Sequence, residues 1–471
     1  MVFSSLVFLC IFLPVVVILH SVIRNRKVQN GLLLAASLLF YAYGEPVYVF
    51  LMLFSALLNY LIALVIAKKP RKIWIALGVI VNLLLLAVFK YTGFLISNVN
   101  ALLDAGIPVP QISLPIGISF FTFQALSYVI DVYRGDVEVQ KSYAKVLLYI
   151  SFFPQLIAGP IVRYKDVALE IDSRSVSARE SAFGLRRFIM GLGKKVLIAN
   201  AMGAAADYMF NHGAANLNVV GAWIGAIAYL MQIYYDFSAY SDMAIGLGKM
   251  FGFHFRENFN YPYIADTVQT FWRRWHISLS SFFRDYVYIP LGGNRKGRFR
   301  TVLNRVIVFF LTGLWHGANW TFVIWGLFHG FFLLLEEFIP LIRKLPKFLR
   351  RIYTLLAITI GFVIFRADTM AEAILFIEKM FTGFEFSAEI MSYNIQALTP
   401  WFLFMLLAAI IGCAPISKLA DSIRALENKE ILTKRESFVQ AMTFVLAVVL
   451  LVWCMIRLAG GSYNPFIYFR F

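Results

Sequence analysis

The sequence predicts an all-α polytopic membrane protein, and three observations carry that expectation. Hydrophobic residues make up 60% of the 471 residues and charged residues only 15%, where soluble domains carry about 25% charged residues. Stretches free of Asp, Glu, Lys and Arg recur at 1–23, 46–67, 73–89, 105–130, 208–235, 306–335, 390–417 and 437–456. The net charge of +17 is concentrated in short clusters between those stretches. A helix needs roughly 20 mainly apolar residues to cross a bilayer, so these stretches and several shorter ones predict about ten to twelve transmembrane or re-entrant helices. With no internal repeat and no polar segment long enough for its own core, residues 1–471 read as a single membrane domain.

The basic clusters set the orientation. They are Arg24, Arg26 and Lys27; Lys68, Lys69, Arg71 and Lys72; Arg295, Lys296, Arg298, Arg300 and Arg305; and Arg343, Lys344, Lys347, Arg350 and Arg351. Lys and Arg gather on cytoplasmic loops, where they also meet anionic lipid. This distribution accounts for the charge without nucleic acid. With Arg24–Lys27 inside, the N-terminus lies outside. The next apolar stretch folds as a hairpin about Gly44-Glu45-Pro46 and returns Lys68 to the inside. The first stretch has no basic segment before it and no small-residue cleavage site after it, so it is expected to be a retained helix rather than a signal peptide. Cys10, Cys413 and Cys454 all lie in apolar stretches, with no metal or disulfide spacing.

Further along, Pro115-Ile-Gly-Ile-Ser119 and the Pro/Gly-rich stretch 152–160 interrupt apolar sequence. They read either as kinked helices or as irregular segments lining a cavity. Between Asp236 and Arg305 aromatic residues mix with charges. Trp272, Trp275, His276, Leu279, Phe282, Phe283 and Tyr286 form one stripe at helical spacing, and Leu291-Gly-Gly-Asn-Arg-Lys-Gly297 reads as a turn with a basic tip. The segment is too polar to face lipid on all sides. It lies either at the interface or against a water-filled cavity.

Two histidines are the candidate chemistry. His276 sits in Phe271-Trp-Arg-Arg-Trp-His-Ile-Ser-Leu-Ser280, and His316 in Leu311-Thr-Gly-Leu-Trp-His-Gly-Ala-Asn-Trp320. An ionisable group at membrane depth is expensive and therefore points to function, and imidazole moves protons near neutral pH. Trp315, Asn319 and Trp320 supply donors and an apolar wall around His316, and Ser280 lies one turn beyond His276. The alternative for His316 is a hydrogen-bonded structural role between helices, and for His276 that of an interfacial histidine among tryptophans. Asp236 and Asp242 either orient a histidine or an arginine or satisfy polar neighbours in the core. His329 is expected to be structural: on one continuous helix it would lie about 220° around from His316, off its face. No zinc-protease, serine-hydrolase elbow or phosphate-loop motif occurs.

At these motifs the chain resembles the membrane-bound O-acyltransferase superfamily. Within it, the likeness is to the bacterial branch that O-acetylates alginate, peptidoglycan and exopolysaccharide. The matching segments run almost end to end and include Leu114-Pro-Ile-Gly-Ile-Ser-Phe120, Ile157-Ala-Gly-Pro160, Asp236-Phe-Ser-Ala-Tyr-Ser-Asp242, Glu257-Asn-Phe-Asn260, Arg284-Asp285, both histidine motifs and the Phe466-Ile-Tyr-Phe469 terminus. The resemblance implies a helical ring with a central funnel. It implies His316 and His276 as catalytic residues, with Trp315, Asn319, Ser280, Asp236, Arg284 and Asp285 in support, and neither a bound cofactor nor a metal. The implied donor is acetyl-CoA or another cytoplasmic thioester, and the acceptor a polysaccharide outside the cell. An extracytoplasmic SGNH-like acetyltransferase is the implied partner and the bacterial cytoplasmic membrane the implied location. A D-alanyl transferase of teichoic acids, a glycan transporter and a scaffold for an external acetylase remain as alternatives.

The orientation is testable first. With single cysteines placed at 68–72 and at 98–111, an impermeant thiol reagent added to intact cells should label only the second loop. Labelling at 68–72 would reverse the orientation.

Overall fold

Helices dominate because a backbone taken out of water must satisfy its own hydrogen bonds. The computed structural model describes residues 1–157, 159–413, 425–426, 429, 433–461 and 463–467. Ala158 of the 157–160 motif and residues 468–469 of the terminal motif lie outside the described residues. Among those described, no strand occurs. Six helices are long and apolar enough to cross a membrane: Tyr48–Lys68, Lys72–Leu103, Ala178–Asn211, Trp320–Phe338, Lys347–Arg366 and Lys434–Ala459. Ala388–Ala397 and Pro400–Cys413 form a seventh candidate bent by 61°, where Pro400 starts a new helix because it lacks the donor needed to continue the old one. Along Lys434–Ala459, Phe438, Met442, Val445, Leu446, Val448, Val449, Val452 and Ile456 are all exposed, a lipid-facing surface. The chain is an all-α polytopic membrane protein.

Among the described residues, shorter and broken apolar helices accompany these spans, because polar residues and breaks divide the other apolar stretches. The stretch 105–130 splits into an exposed loop and the helix Ile118–Arg134. The stretch 306–335 is divided at 317–319 between the helices Gly297–His316 and Trp320–Phe338. Val219–Met250 is long but carries Asp236, Asp242 and Lys249.

The described residues fall into two compact units. In the first, residues 1–188 with 241–256, Tyr48–Lys68 and Lys72–Leu86 are tied by a reciprocal amide pair. Asn59 donates to Asn82 at 3.1 Å and Asn82 donates back at 2.7 Å, both side chains buried. The two Pro/Gly-interrupted segments meet. Gly117 has φ +79°, and a Cβ there would come within 2.8 Å of the Leu156 carbonyl oxygen. The 159–163 backbone is non-helical and buried, so this region is irregular structure packed in protein rather than a kinked helix. Asp242 pairs with Arg187 at 2.8 Å.

In the second unit, residues 189–240 with 257–471, the helices Gly297–His316 and Trp320–Phe338 form a tight antiparallel pair, with Lys347–Arg366 against the second of them. Glycine permits the approach. A Cβ on Gly313 would stand 2.3 Å from the Phe322 carbonyl oxygen, and one on Gly326 would stand 2.3 Å from that of Phe309. Asn319 makes the turn: its Oδ1 accepts from the Thr321 N–H at 3.2 Å as the N-cap, and its Nδ2 donates to the Asp368 carbonyl at 2.9 Å.

Candidate active site

The second unit places His276 and His316 side by side. Their ring centroids are 6.4 Å apart with planes at 66°. His316 ends its helix and is packed edge-on against Trp325 at 5.0 Å and Phe365 at 5.2 Å. Trp315 touches both histidines, at 5.0 Å and 5.8 Å. His276 meets Phe237 at 4.6 Å. The setting is an aromatic cage, with His276 fully buried and His316 nearly so.

The expected continuous helix through 271–286 is broken, and the break carries the site. Short helices Val268–Trp272 and Ile277–Phe283 flank a turn in which His276 takes φ +43°. That left-handed conformation costs a non-glycine residue on the order of 1–3 kcal/mol unless its surroundings impose it. Here they do. Asn260 N–H donates to the Arg274 carbonyl and Ile277 N–H to the Asn258 carbonyl, both at 2.9 Å. At the other end, the buried Glu336 carboxylate accepts from the backbone N–H of Val268 at 2.6 Å and of Gln269 at 3.1 Å. The turn is held by its neighbours rather than by helical periodicity.

The His276 side chain is held by Asn258. Nδ1 lies 3.2 Å from Asn258 Oδ1, which also accepts from the Ser278 backbone N–H at 3.1 Å and the Ser278 hydroxyl at 2.9 Å. The other nitrogen, Nε2, is buried and has no hydrogen-bond partner. Its helices of five and seven residues are too short to span a bilayer, and burial pushes the His276 imidazole down to about 3. It is therefore neutral near neutral pH.

The other expected site residues are distributed more widely. Trp315 is in the cage. Asn319 acts through the helix turn beside His316. Ser280 Oγ donates to the Trp272 carbonyl at 3.4 Å and so braces the turn. Arg284 and Asp285 pair with each other at 2.6 Å, with Arg284 exposed. Among the described residues, Asp236 is paired with neither a histidine nor an arginine. It forms a buried ion pair with Lys195 at 2.6 Å and accepts from the Ile467 N–H at 2.9 Å, while Lys195 also donates to the Pro465 carbonyl. His329 is a correction to the face argument. Because the helix breaks at 317–319, His329 lies on the next helix and packs on Trp325 at 5.2 Å, the ring that also contacts His316, and on Trp272 at 5.3 Å. Sequence reasoning gave no role to Asn258, Trp325, Phe365 or Glu336. Glu336 carried a signal as an acid closing an apolar stretch, and Asn258 lay in the Glu257-Asn-Phe-Asn260 motif. A cavity of 240 Å³ lined by Asn200, Tyr208, Trp401, Arg457 and Tyr463 is built from none of these residues.

Fold and site together define a polytopic membrane protein with two imidazoles buried side by side. Residues 137–367, which contain both, match the family model described as MBOAT, membrane-bound O-acyltransferase family. The chain is 39% identical to the probable alginate O-acetylase AlgI of Pseudomonas putida, with all of both chains covered. It is 38% identical to the protein of that name from Azotobacter vinelandii, again over the whole of both. To the peptidoglycan O-acetyltransferase of Helicobacter pylori it is 37% identical, over 80% of this chain and 79% of the relative. This chain belongs to the membrane-bound O-acyltransferase family.

The Lys195–Asp236 pair ties the C-terminal residues into the unit. Removing one member of a buried, hydrogen-bonded pair costs about 3–5 kcal/mol. Asp236→Ala should therefore lower the melting temperature in detergent sharply, while Lys195→Met combined with Asp236→Leu should lower it less than Asp236→Ala alone. Equal melting of Asp236→Ala and the parent protein would remove this structural role.

Proposed function

We propose that the chain is the membrane O-acetyltransferase of a bacterial polysaccharide O-acetylation system, set in the cytoplasmic membrane. The observation that carries the reading is the placement of His276 and His316 at 6.4 Å in one buried aromatic cage, in a family of acyltransferases. One small reacting group between the rings can come within the hydrogen-bond reach of each, about 2.6–3.2 Å.

The proposed donor is acetyl-CoA or another acetyl thioester, drawn to the basic side of the membrane. Arg295, Lys296 and Arg298 are exposed there, and exposed cations raise the local concentration of a phosphate-bearing substrate. His316 takes the proton from the attacking hydroxyl as its oxygen bonds to the thioester carbonyl carbon. The tetrahedral adduct then expels the thiolate, which receives that proton. The products are an acetyl ester and a free thiol. The C-terminal end of the helix Gly297–His316 favours positive charge and so stabilises the imidazolium that forms. His276 positions the molecule that carries the attacking hydroxyl. That hydroxyl belongs to the glycan or to the serine of an extracytoplasmic SGNH-like partner that completes transfer to the polysaccharide.

His316→Ala should abolish glycan acetylation at unchanged membrane abundance, since a general base contributes about a hundredfold to ten-thousandfold. His276→Asn should be milder than His276→Ala because an amide still hydrogen-bonds. His329→Ala should retain substantial acetylation per molecule. Near-normal acetylation by His316→Ala would refute the assignment and favour a scaffold role.

A further inference from the structure

The hydrogen bonds around Asn258 decide which nitrogen of His276 carries a proton. A backbone N–H can only donate, and the Ser278 N–H points at Asn258 Oδ1 at 3.1 Å. The atom it meets must be the carbonyl oxygen of the amide, which settles the amide's orientation. A carbonyl oxygen only accepts, so His276 Nδ1, 3.2 Å from it, must be the protonated nitrogen. In a neutral imidazole the other nitrogen is then a bare acceptor. That nitrogen, Nε2, is buried in the cage without a hydrogen-bond partner. The Asn258 side chain is itself fully buried, and its oxygen accepts from Ser278 twice, so turning it away would break both hydrogen bonds; the Ser278 hydroxyl also lies 3.4 Å from Nδ1.

We propose that Asn258 is the positioning residue of the transfer site: it fixes His276 as the Nδ1–H tautomer, so that Nε2 accepts a hydrogen bond from the acceptor molecule beside the attacking hydroxyl, whose own proton goes to His316. This rests on the reading of His276 and His316 as the place of transfer, and it narrows what His276 does. A bare Nε2 cannot donate to the oxygen of a thioester carbonyl, so His276 serves the acceptor side. His316 is the titratable neighbour across the cage, with Phe237 and Trp315 as the other ring contacts. Stabilising the developing oxyanion therefore falls to groups other than His276.

The test compares Asn258→Asp, Asn258→Leu, His276→Asn and the Asn258→Leu, His276→Asn double variant. Each is the full chain in membranes at matched abundance, assayed for acetyl transfer from acetyl-CoA across pH. Asn258→Leu removes the acceptor and should lower kcat at least about tenfold, the scale of lost orienting partners, with KM for the donor unchanged. Asn258→Asp still accepts from Nδ1 and should keep most activity at high pH. Its carboxylate favours the imidazolium, which lacks a bare Nε2, so activity on the acidic side should be lost at a higher pH than in the parent. In the His276→Asn background Asn258→Leu should cost little more, because both changes remove one interaction. If Asn258→Leu does not accumulate, the pH profile of Asn258→Asp decides. An unchanged profile for Asn258→Asp, or an equal cost of Asn258→Leu in both backgrounds, overturns the proposal. Full activity of His276→Asn and of His276→Ala would instead overturn the underlying assignment of His276.

Discussion

The site depends on one packing constraint, the close approach of the helices Gly297–His316 and Trp320–Phe338. Backbone at Gly313 and Gly326 lies so near the facing carbonyls that a methyl group would clash at 2.3 Å, and Asn319 closes the turn between them. That geometry ends one helix at His316 and brings Trp325 and Phe365 onto its ring. It also completes the wall beside His276. In a close-packed interior the positions of such rings are set by volume, because voids and overlaps both cost free energy.

A second constraint acts on the His276 turn. A left-handed residue is unfavourable by itself, and two polar anchors hold it: the Asn258–Asn260 segment on one side and Glu336 at the start of Val268–Trp272 on the other. Irregular backbone is tolerated at membrane depth only where protein or water satisfies it. Every anchor here is a backbone hydrogen bond to a buried side chain or to another main-chain segment. The backbone conformation of His276 is thus set by these anchors.

Much of this was legible in the sequence. The apolar stretches and basic clusters identified a polytopic helical protein, and the scarcity of ionisable groups in 306–335 singled out His316. The aromatic residues around His276 marked a second centre. Other features were not legible. The stripe through 271–286 had helical spacing, yet tertiary hydrogen bonds from Asn258 and Asn260 break it, and propensity gives no warning of such an override. Asn258 lies eighteen residues before His276 with no periodic relation to it, so nothing local linked the two. Treating 306–335 as one helix misplaced His329, because the unbroken apolar character of the stretch masked the stop at Gly317 and the start at Asn319. Asp236 read either as an orienting partner or as an acid satisfying polar neighbours in the core, and its buried pair with Lys195 is the second of these.

The account stands on the claim that the paired imidazoles catalyse acyl transfer rather than support another protein's activity. The direct measurement is thiol release from acetyl-CoA by the purified chain in lipid nanodiscs, supplied with an acceptor hydroxyl and lacking any other protein. The account predicts catalytic release that requires the acceptor and falls at least about a hundredfold in His316→Ala. Release absent under all acceptors, or equal in the parent and His316→Ala, would contradict it.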